Sequence, residues 1–144
     1  MSNTVEDIAQ WFKLAVPEPT PKNQFVQIGV HIEEFTEMLD ALGGKDSAVR
    51  AGVHMTAEAF KNGEVSTLQE DIIVDRQELL DSLCDQIVTA IGIGHMYGLD
   101  VVAGLAEVNR SNYSKFVDGK PIFNDQGKIA KGPAYFKPDL TKFV

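Results

Sequence analysis

The stretch KNQFVQIGVHIEEFTEMLDAL, residues 22–42, decides the fold class. Its Ile28, Ile32, Phe35, Leu39 and Leu42 recur at the three- and four-residue intervals of one helix face. Gly43-Gly44 ends the run, because glycine accepts the backbone conformation that closes a helix. The spacing predicts a long helix from about Lys22 to Leu42 with that apolar stripe facing the core. Glu33, Glu34 and Glu37 fall on the far side, and Asp40 extends their row by one turn. Val26 and Val30 share that far side, which predicts a helix covered on both faces and a partly enclosed place for the glutamates. Like charges crowded in such a place need a cation.

Further helices follow on either side. Residues 5–15 carry Val5, Ile8, Trp11 and Phe12 near helical spacing, and Pro17, Pro19 and Pro21 end that run. Residues 47–61 read as a helix with Ser47 as N-cap and Asn62-Gly63 as its stop. Another helix starts at about Leu68 or Asp75, reaches Tyr97 and ends at Gly98. Asp100 then caps a last helix running to about Phe116. Beyond it, Asp118-Gly119 and Gln126-Gly127 are turn signals around short apolar pieces, which predicts an ordered loop or small hairpin and then an extended tail with Pro133 and Pro138. The expected architecture is all-α: a bundle of about four to five helices over residues 5–116 with an irregular Lys/Gly-rich loop and tail over 117–144, all in one domain of 144 residues.

A second acidic cluster lies on the fourth helix. Glu78, Asp81 and Asp85 fall within about 60° of one another. Leu79, Leu80, Leu83, Cys84, Ile87, Val88 and Ile91 take the opposite half, where Cys84 reads as a small core side chain. Gly92 and Gly94 would open space there or permit close helix contact. Two acidic stripes facing each other make an all-oxygen site for Mg²⁺, and sites of that kind hold phosphates.

The remaining composition narrows the classes. With 44% hydrophobic and 24% charged residues the chain is globular. It contains no run of eighteen apolar residues, and its N-terminus has neither a basic start nor an apolar signal core, so the expectation is a cytoplasmic protein with no membrane partner. The single cysteine forms no internal disulfide. A net charge of -8 argues against nucleic acid as a partner. The charge is unevenly placed: residues 110–144 hold seven basic and three acidic side chains, residues 1–109 six basic and eighteen acidic. A basic tail near an acidic metal site suits the outer charges of a polyphosphate. Trp11, Phe12, Phe25, Gln27 and His31 are candidates for a base pocket, against the plainer reading of Trp11 and Phe12 as core. His31, His54 and His95 lack the spacing of a zinc site. The phosphate-cradling glycine loop and the nucleophile turn are both missing from the sequence.

Glu33-Glu34-x-x-Glu37 followed by Glu78-x-x-Asp81 resembles the all-α nucleoside triphosphate pyrophosphohydrolases, a superfamily that includes MazG-like enzymes, dimeric dUTPases and phosphoribosyl-ATP pyrophosphohydrolases. Residues 107–120, Glu107-Val-Asn-Arg110-Ser-Asn112-Tyr-Ser-Lys115-Phe-Val-Asp-Gly-Lys120, with Gly127-Lys128 and the run from Lys131 to Leu140, resemble the His-Arg-Ser-Asn-x-Ser-Lys segment and tail of phosphoribosyl-ATP-pyrophosphohydrolase-like proteins of phages and bacteria. The similarity spans roughly residues 22–140 and is least distinctive over 43–70. It implies a helical dimer or tetramer and Mg²⁺-dependent (or Mn²⁺-dependent) cleavage of an NTP or dNTP between its α and β phosphates.

The resemblance also implies roles. Glu33, Glu34 and Glu37 match the first ligand motif; in a mechanism of that kind a carboxylate not fully engaged in coordination, Glu34 or Glu37, is the candidate to take the proton of the attacking water. In the second motif either Glu78 and Asp81 are the ligands, or the register set by Gly98 places the family's aspartate at Asp85 and its glutamate at Ser82. Arg110, Asn112, Lys115, Lys120, Lys128 and Lys131 become substrate-binding residues, and the family's histidine is Asn109 here. Two alternatives stand beside this reading: a phosphoribosyl-ATP pyrophosphohydrolase of histidine synthesis, and a helical interaction protein without catalysis.

Overall fold

Caps set the helix boundaries in the computed structural model, which describes residues 3–65 and 74–144. Among these residues there are five α-helices: α1 Thr4–Ala15, α2 Pro21–Ala41, α3 Ala48–Lys61, α4 Arg76–Tyr97 and α5 Val101–Tyr113. A 3-10 turn, Thr141–Phe143, follows near the C-terminus. The described residues include no β-strand, and the fold is all-α.

Each helix starts where a side chain can satisfy its unpaired amides. Thr20 and Asn23 form a reciprocal capping box ahead of α2, with Pro21 at the first helical position. Ser47 accepts from the Arg50 amide, Asp75 from those of Gln77 and Glu78, and Asp100 from that of Ala103. Gly98 closes α4 at φ 71°, a left-handed conformation that glycine adopts without steric cost. Of the two expected starts for α4, Asp75 is the cap; Leu68 lies outside the described residues. Helix α5 stops at Tyr113, short of the expected Phe116, where the Ser114 hydroxyl takes the Ser111 carbonyl and the chain turns off.

The chain divides into two compact units. One comprises Val16–Glu70 and Phe123–Ala130 and is built on the α2–α3 pair. Here the structure corrects the expected core stripe. Val26, Gly29 and Thr36 are buried, while of the expected stripe Ile32 and Leu39 are half-buried and Ile28, Phe35 and Leu42 are exposed. The reason is the small residues. A Cβ at Gly29 would come within 2.8 Å of the Ala57 carbonyl oxygen, and Ala57 is fully buried. Two helices approach most closely where side chains are smallest, and that contact outweighs the wider apolar stripe on the other face.

The other unit comprises Met1–Ala15, Asp71–Ile122 and Lys131–Val144. Its centre is Trp11, 6% exposed, stacked on Phe116 with ring centroids 5.4 Å apart and edge-on to Phe12 at 4.9 Å. The Trp11 indole N–H donates to the Asn112 carbonyl at 3.1 Å, and the Tyr113 hydroxyl donates to the Asp7 carbonyl at 2.9 Å. Trp11 is a core residue that ties α1 to α5.

Helix α4 also differs from expectation. Leu79, Leu80, Leu83, Ile87, Val88 and Ile91 are exposed rather than core, and so is Cys84. The chain bends by 117° between α4 and α5, so α5 leaves most of α4's length. The two meet at the end of α4, where buried Gly94 packs directly against Val101. Gly92 faces open space. No single helix among the described residues is long and apolar enough to cross a membrane.

Candidate functional site

The first acidic motif lies along α2, and its three glutamates have different surroundings. Glu33 follows Gly29 by one turn and so shares the face that meets α3. Both of its carboxylate oxygens are engaged: Oε1 accepts from Lys61 Nζ at 3.1 Å and Oε2 from Lys128 Nζ at 2.8 Å. Glu34 and Glu37 are exposed, farther round the helix from α3. Burial pushes the Glu33 carboxyl up, but the hydrogen bonds and charges of Lys128 and Lys61 outweigh it and hold the group below its ordinary 4.5.

Lys61 is the residue that the sequence reading missed. Its side chain is 5% exposed and pairs with Glu58 as well as Glu33. Desolvation disfavours its charge, yet the two carboxylates hold its pKa above the ordinary 10.5. The available signal was Ala57, one turn earlier on the same face of α3, opposite a glycine on α2. Asp40 is half-buried and clamped by Arg50 through two bonds of 2.9 and 3.0 Å, which closes the acidic row with a structural pair.

Lys128 comes from the loop Phe123–Ala130, a small hairpin as expected. Phe123 and Ile129 form an antiparallel bridge, and the Asn124 amide donates to the Lys128 carbonyl at 2.9 Å. The Asn124 side chain accepts from the Gln126 and Lys128 amides, and Gly127 turns at φ 79°. Phe25 packs on Phe60 at 6.4 Å, and His31 meets Phe35 edge-on at 5.6 Å.

The second acidic motif lies in the other unit. Glu78, Asp81 and Asp85 are exposed along α4, and Glu78 and Asp81 line a shallow hollow with Gln77, Leu80 and Cys84.

The Asn-Arg-Ser-Asn-x-Ser-Lys segment closes α5 and holds the tail. Arg110 forks onto Glu107 at 2.8 and 2.9 Å, with its guanidinium 4.3 Å from the centre of the Phe136 ring. The same Glu107 accepts from the Asp139 amide at 2.9 Å. Arg110 and that amide together hold the Glu107 carboxyl down at about 2. Buried Ser111 donates to the Phe136 carbonyl at 2.8 Å, and the Phe136 amide donates to Ser114 Oγ at 3.2 Å. Lys115 donates to the Asn112 side chain at 2.7 Å, and its carbonyl accepts from the Gly132 amide. Lys120 closes a tight turn through Asp118 and Gly119 onto Val117, and Lys131 lies 4.8 Å from the centre of the Tyr135 ring. Arg110, Asn112 and Lys115 thus share one helix end, and Glu107, Ser111, Ser114 and the Lys115 carbonyl around them hold the chain from Gly132 to Asp139.

Carboxylate oxygens with neither His nor Cys among them, as on α2, would suit a hard divalent cation. At Glu33 two ammonium groups stand where such a cation would bind. Among the described residues no group of three or more His, Cys, Asp or Glu side chains converges closely enough to hold a metal ion. No protein-family model, curated protein or solved structure matches this chain.

Proposed function

We propose that the chain is a metal-dependent nucleoside triphosphate pyrophosphohydrolase that cleaves an NTP or dNTP between its α and β phosphates. The observation that carries the reading is Glu33: a partly enclosed carboxylate with a cationic group on each oxygen, and Glu34 and Glu37 within the next turn. Lys61 and Lys128 already compensate Glu33, so a metal ion there would have to take the place of a lysine. The resemblance of the two acidic motifs and of residues 107–120 to the all-α pyrophosphohydrolases supports the same reading.

Mg²⁺ or Mn²⁺, when bound, neutralises charge between the carboxylates and the triphosphate. Glu33, Glu34 and Glu37 on α2 would hold the ion, and the resemblance gives Glu78, Asp81 and Asp85 on α4 the same role. Glu34 or Glu37 takes the proton of the attacking water. The water oxygen bonds to the α phosphorus, and the bond from that phosphorus to the α–β bridging oxygen breaks. Pyrophosphate carries away the bonding pair, leaving a nucleoside monophosphate. Arg110, Lys115, Lys120, Lys128 and Lys131 supply positive charge for the β and γ phosphates, and Asn112 a hydrogen bond. The molecule acts as a homodimer or homotetramer in the cytoplasm.

A second reading, a helical interaction protein without catalysis, is favoured by the exposed apolar side chains of α4. One assay separates the two and names the substrate. Ribo- and deoxyribonucleoside triphosphates and phosphoribosyl-ATP are incubated with Mg²⁺ and with EDTA, and pyrophosphate is resolved from orthophosphate. Pyrophosphate release that needs Mg²⁺ and disappears in Glu34→Gln and Asp85→Asn is the expected result. Turnover of phosphoribosyl-ATP alone assigns the histidine-synthesis reaction, and turnover of nothing leaves the interaction protein.

A further inference from the structure

Helix α4 is amphipathic, and most of its apolar side is uncovered. Leu79, Leu80, Leu83, Ile87 and Ile91 fall within about 120° of one another, and Glu78, Asp81 and Asp85 lie on the opposite side. Each of the five apolar side chains is 42–63% exposed. Helix α5 covers only the far end of this stripe, where Gly94 meets Val101. From Leu79 to Ile91 the stripe runs for about 18 Å. A continuous apolar surface of that kind marks an interaction site, unlike single apolar residues scattered over a surface.

The pattern of α4 selects the occupant. Its polar side carries three carboxylates, and its only basic residues are Arg76 and His95. A helix that lies on a membrane presents Lys and Arg there instead, and an anionic lipid surface would repel these acids. A second α4 matches in size. Leu80, Leu83, Ile87, Ala90 and Gly94 recur at alternating steps of three and four, the seam of paired helices, with large residues first and small ones last. An antiparallel partner centred on Ile87 sets Leu83 opposite Ala90, Leu80 toward the Gly94–Val101 contact, and Ile87 opposite its own copy. Large residues then meet small ones, as close packing requires. The same pairing matches in charge: the first half of α4, with all three acids, lies beside a second half that has no carboxylate and carries His95. Parallel pairing would instead align the two acidic halves.

We propose that α4 is a homodimer interface in which the Leu80–Gly94 seams of two copies pack antiparallel about a two-fold axis at Ile87. Such a contact is isologous, the same patch serving both copies. Glu78, Asp81 and Asp85 stay on the outer side of each helix, away from the seam. The inference gives the homodimer named above its face and rests on α4 alone, not on the hydrolase reading.

Sedimentation equilibrium of the full chain and of Ile87→Glu, with circular dichroism of both, tests this without turnover, so its failure is distinct from a failure to hydrolyse nucleotides. Wild type should sediment as a dimer. Ile87→Glu puts two like charges on the axis and should weaken the dimer about a hundredfold or more. Its helix content should not change, because Ile87 is exposed in the protomer. If Ile87→Glu does lose helix, cross-linking decides. In a Cys84→Ser chain, Ile87→Cys should form an intermolecular disulfide. Leu80→Cys should not, since antiparallel pairing sets its two copies about 21 Å apart along the helices. A wild-type monomer, its stripe covered by the rest of the chain or by another partner, overturns the proposal. So does a dimer that Ile87→Glu leaves intact, or a Leu80→Cys disulfide, which requires parallel helices.

Discussion

Gly29 of α2 lies directly against Lys61 of α3: a Cβ built on Gly29 would sit 2.6 Å from Lys61 Cγ and 2.9 Å from the Lys61 amide nitrogen. The missing side chain brings the two helices close enough for Lys61 to reach Glu33 one turn further along α2. Gly29→Ala gains about 1 kcal/mol of helix propensity. It also forces the helices apart against backbone atoms, and overpacking of that kind costs about 1–3 kcal/mol. Urea unfolding should show net destabilisation, together with a rise in Lys61 accessibility to amine-reactive reagents.

Lys61 has two carboxylates, so either alone can compensate it. Glu33→Gln and Glu58→Gln should each lower stability modestly. The double variant should lose more than the sum, because a buried ammonium group is then left without a counter-charge. A double-mutant cycle by chemical denaturation measures that excess; strict additivity would show that Lys61 reaches water once its partners are removed.

Thr36 is 3% exposed on the inner face of α2, and its hydroxyl finds no hydrogen-bond partner among the described residues. Thr36→Val keeps the shape and removes the unsatisfied group. Stability should rise by about 1 kcal/mol, read as a higher denaturation midpoint at unchanged slope.

Glu107 couples the end of α5 to the tail, and its carboxyl is held at about 2 against an ordinary 4.5. A depressed carboxyl stabilises the fold fully above its unfolded value and loses that contribution as pH falls toward its folded value. Wild type should lose stability between pH 4.5 and pH 2 through this group. Glu107→Gln, which keeps an acceptor for the Asp139 amide but no charge for Arg110, should lose less over the same range. Melting temperatures of both proteins across that range give the comparison.

The helix ends were legible because capping is local. Ser47, Asp100 and Gly98 announce their roles within four residues of sequence, and Asp75 offered itself as one of two starts. Burial was less legible because it depends on what lies opposite. Residues 22–42 are apolar on two sides, and counting apolar positions favoured the side of Ile28 and Phe35. The contact goes instead to the side where Gly29 meets Ala57, a match between two helices that neither reveals alone. On α4 the leucines read as core, but the bend after Tyr97 removes α5 from them. For the polar run from Arg110 to Lys115 the sequence allows both ligand chemistry and local capping with surface ion pairs. Much of it binds the chain's own tail, a use of Ser111 and Ser114 that spacing cannot separate from phosphate binding.

The most direct measurement of the central claim is phosphorus NMR of a nucleoside triphosphate turned over with Mg²⁺ in ¹⁸O-labelled water. The account predicts a nucleoside monophosphate carrying the label and unlabelled pyrophosphate, with none formed in EDTA. Label in pyrophosphate, release of orthophosphate with a nucleoside diphosphate, or no Mg²⁺-dependent turnover would contradict it.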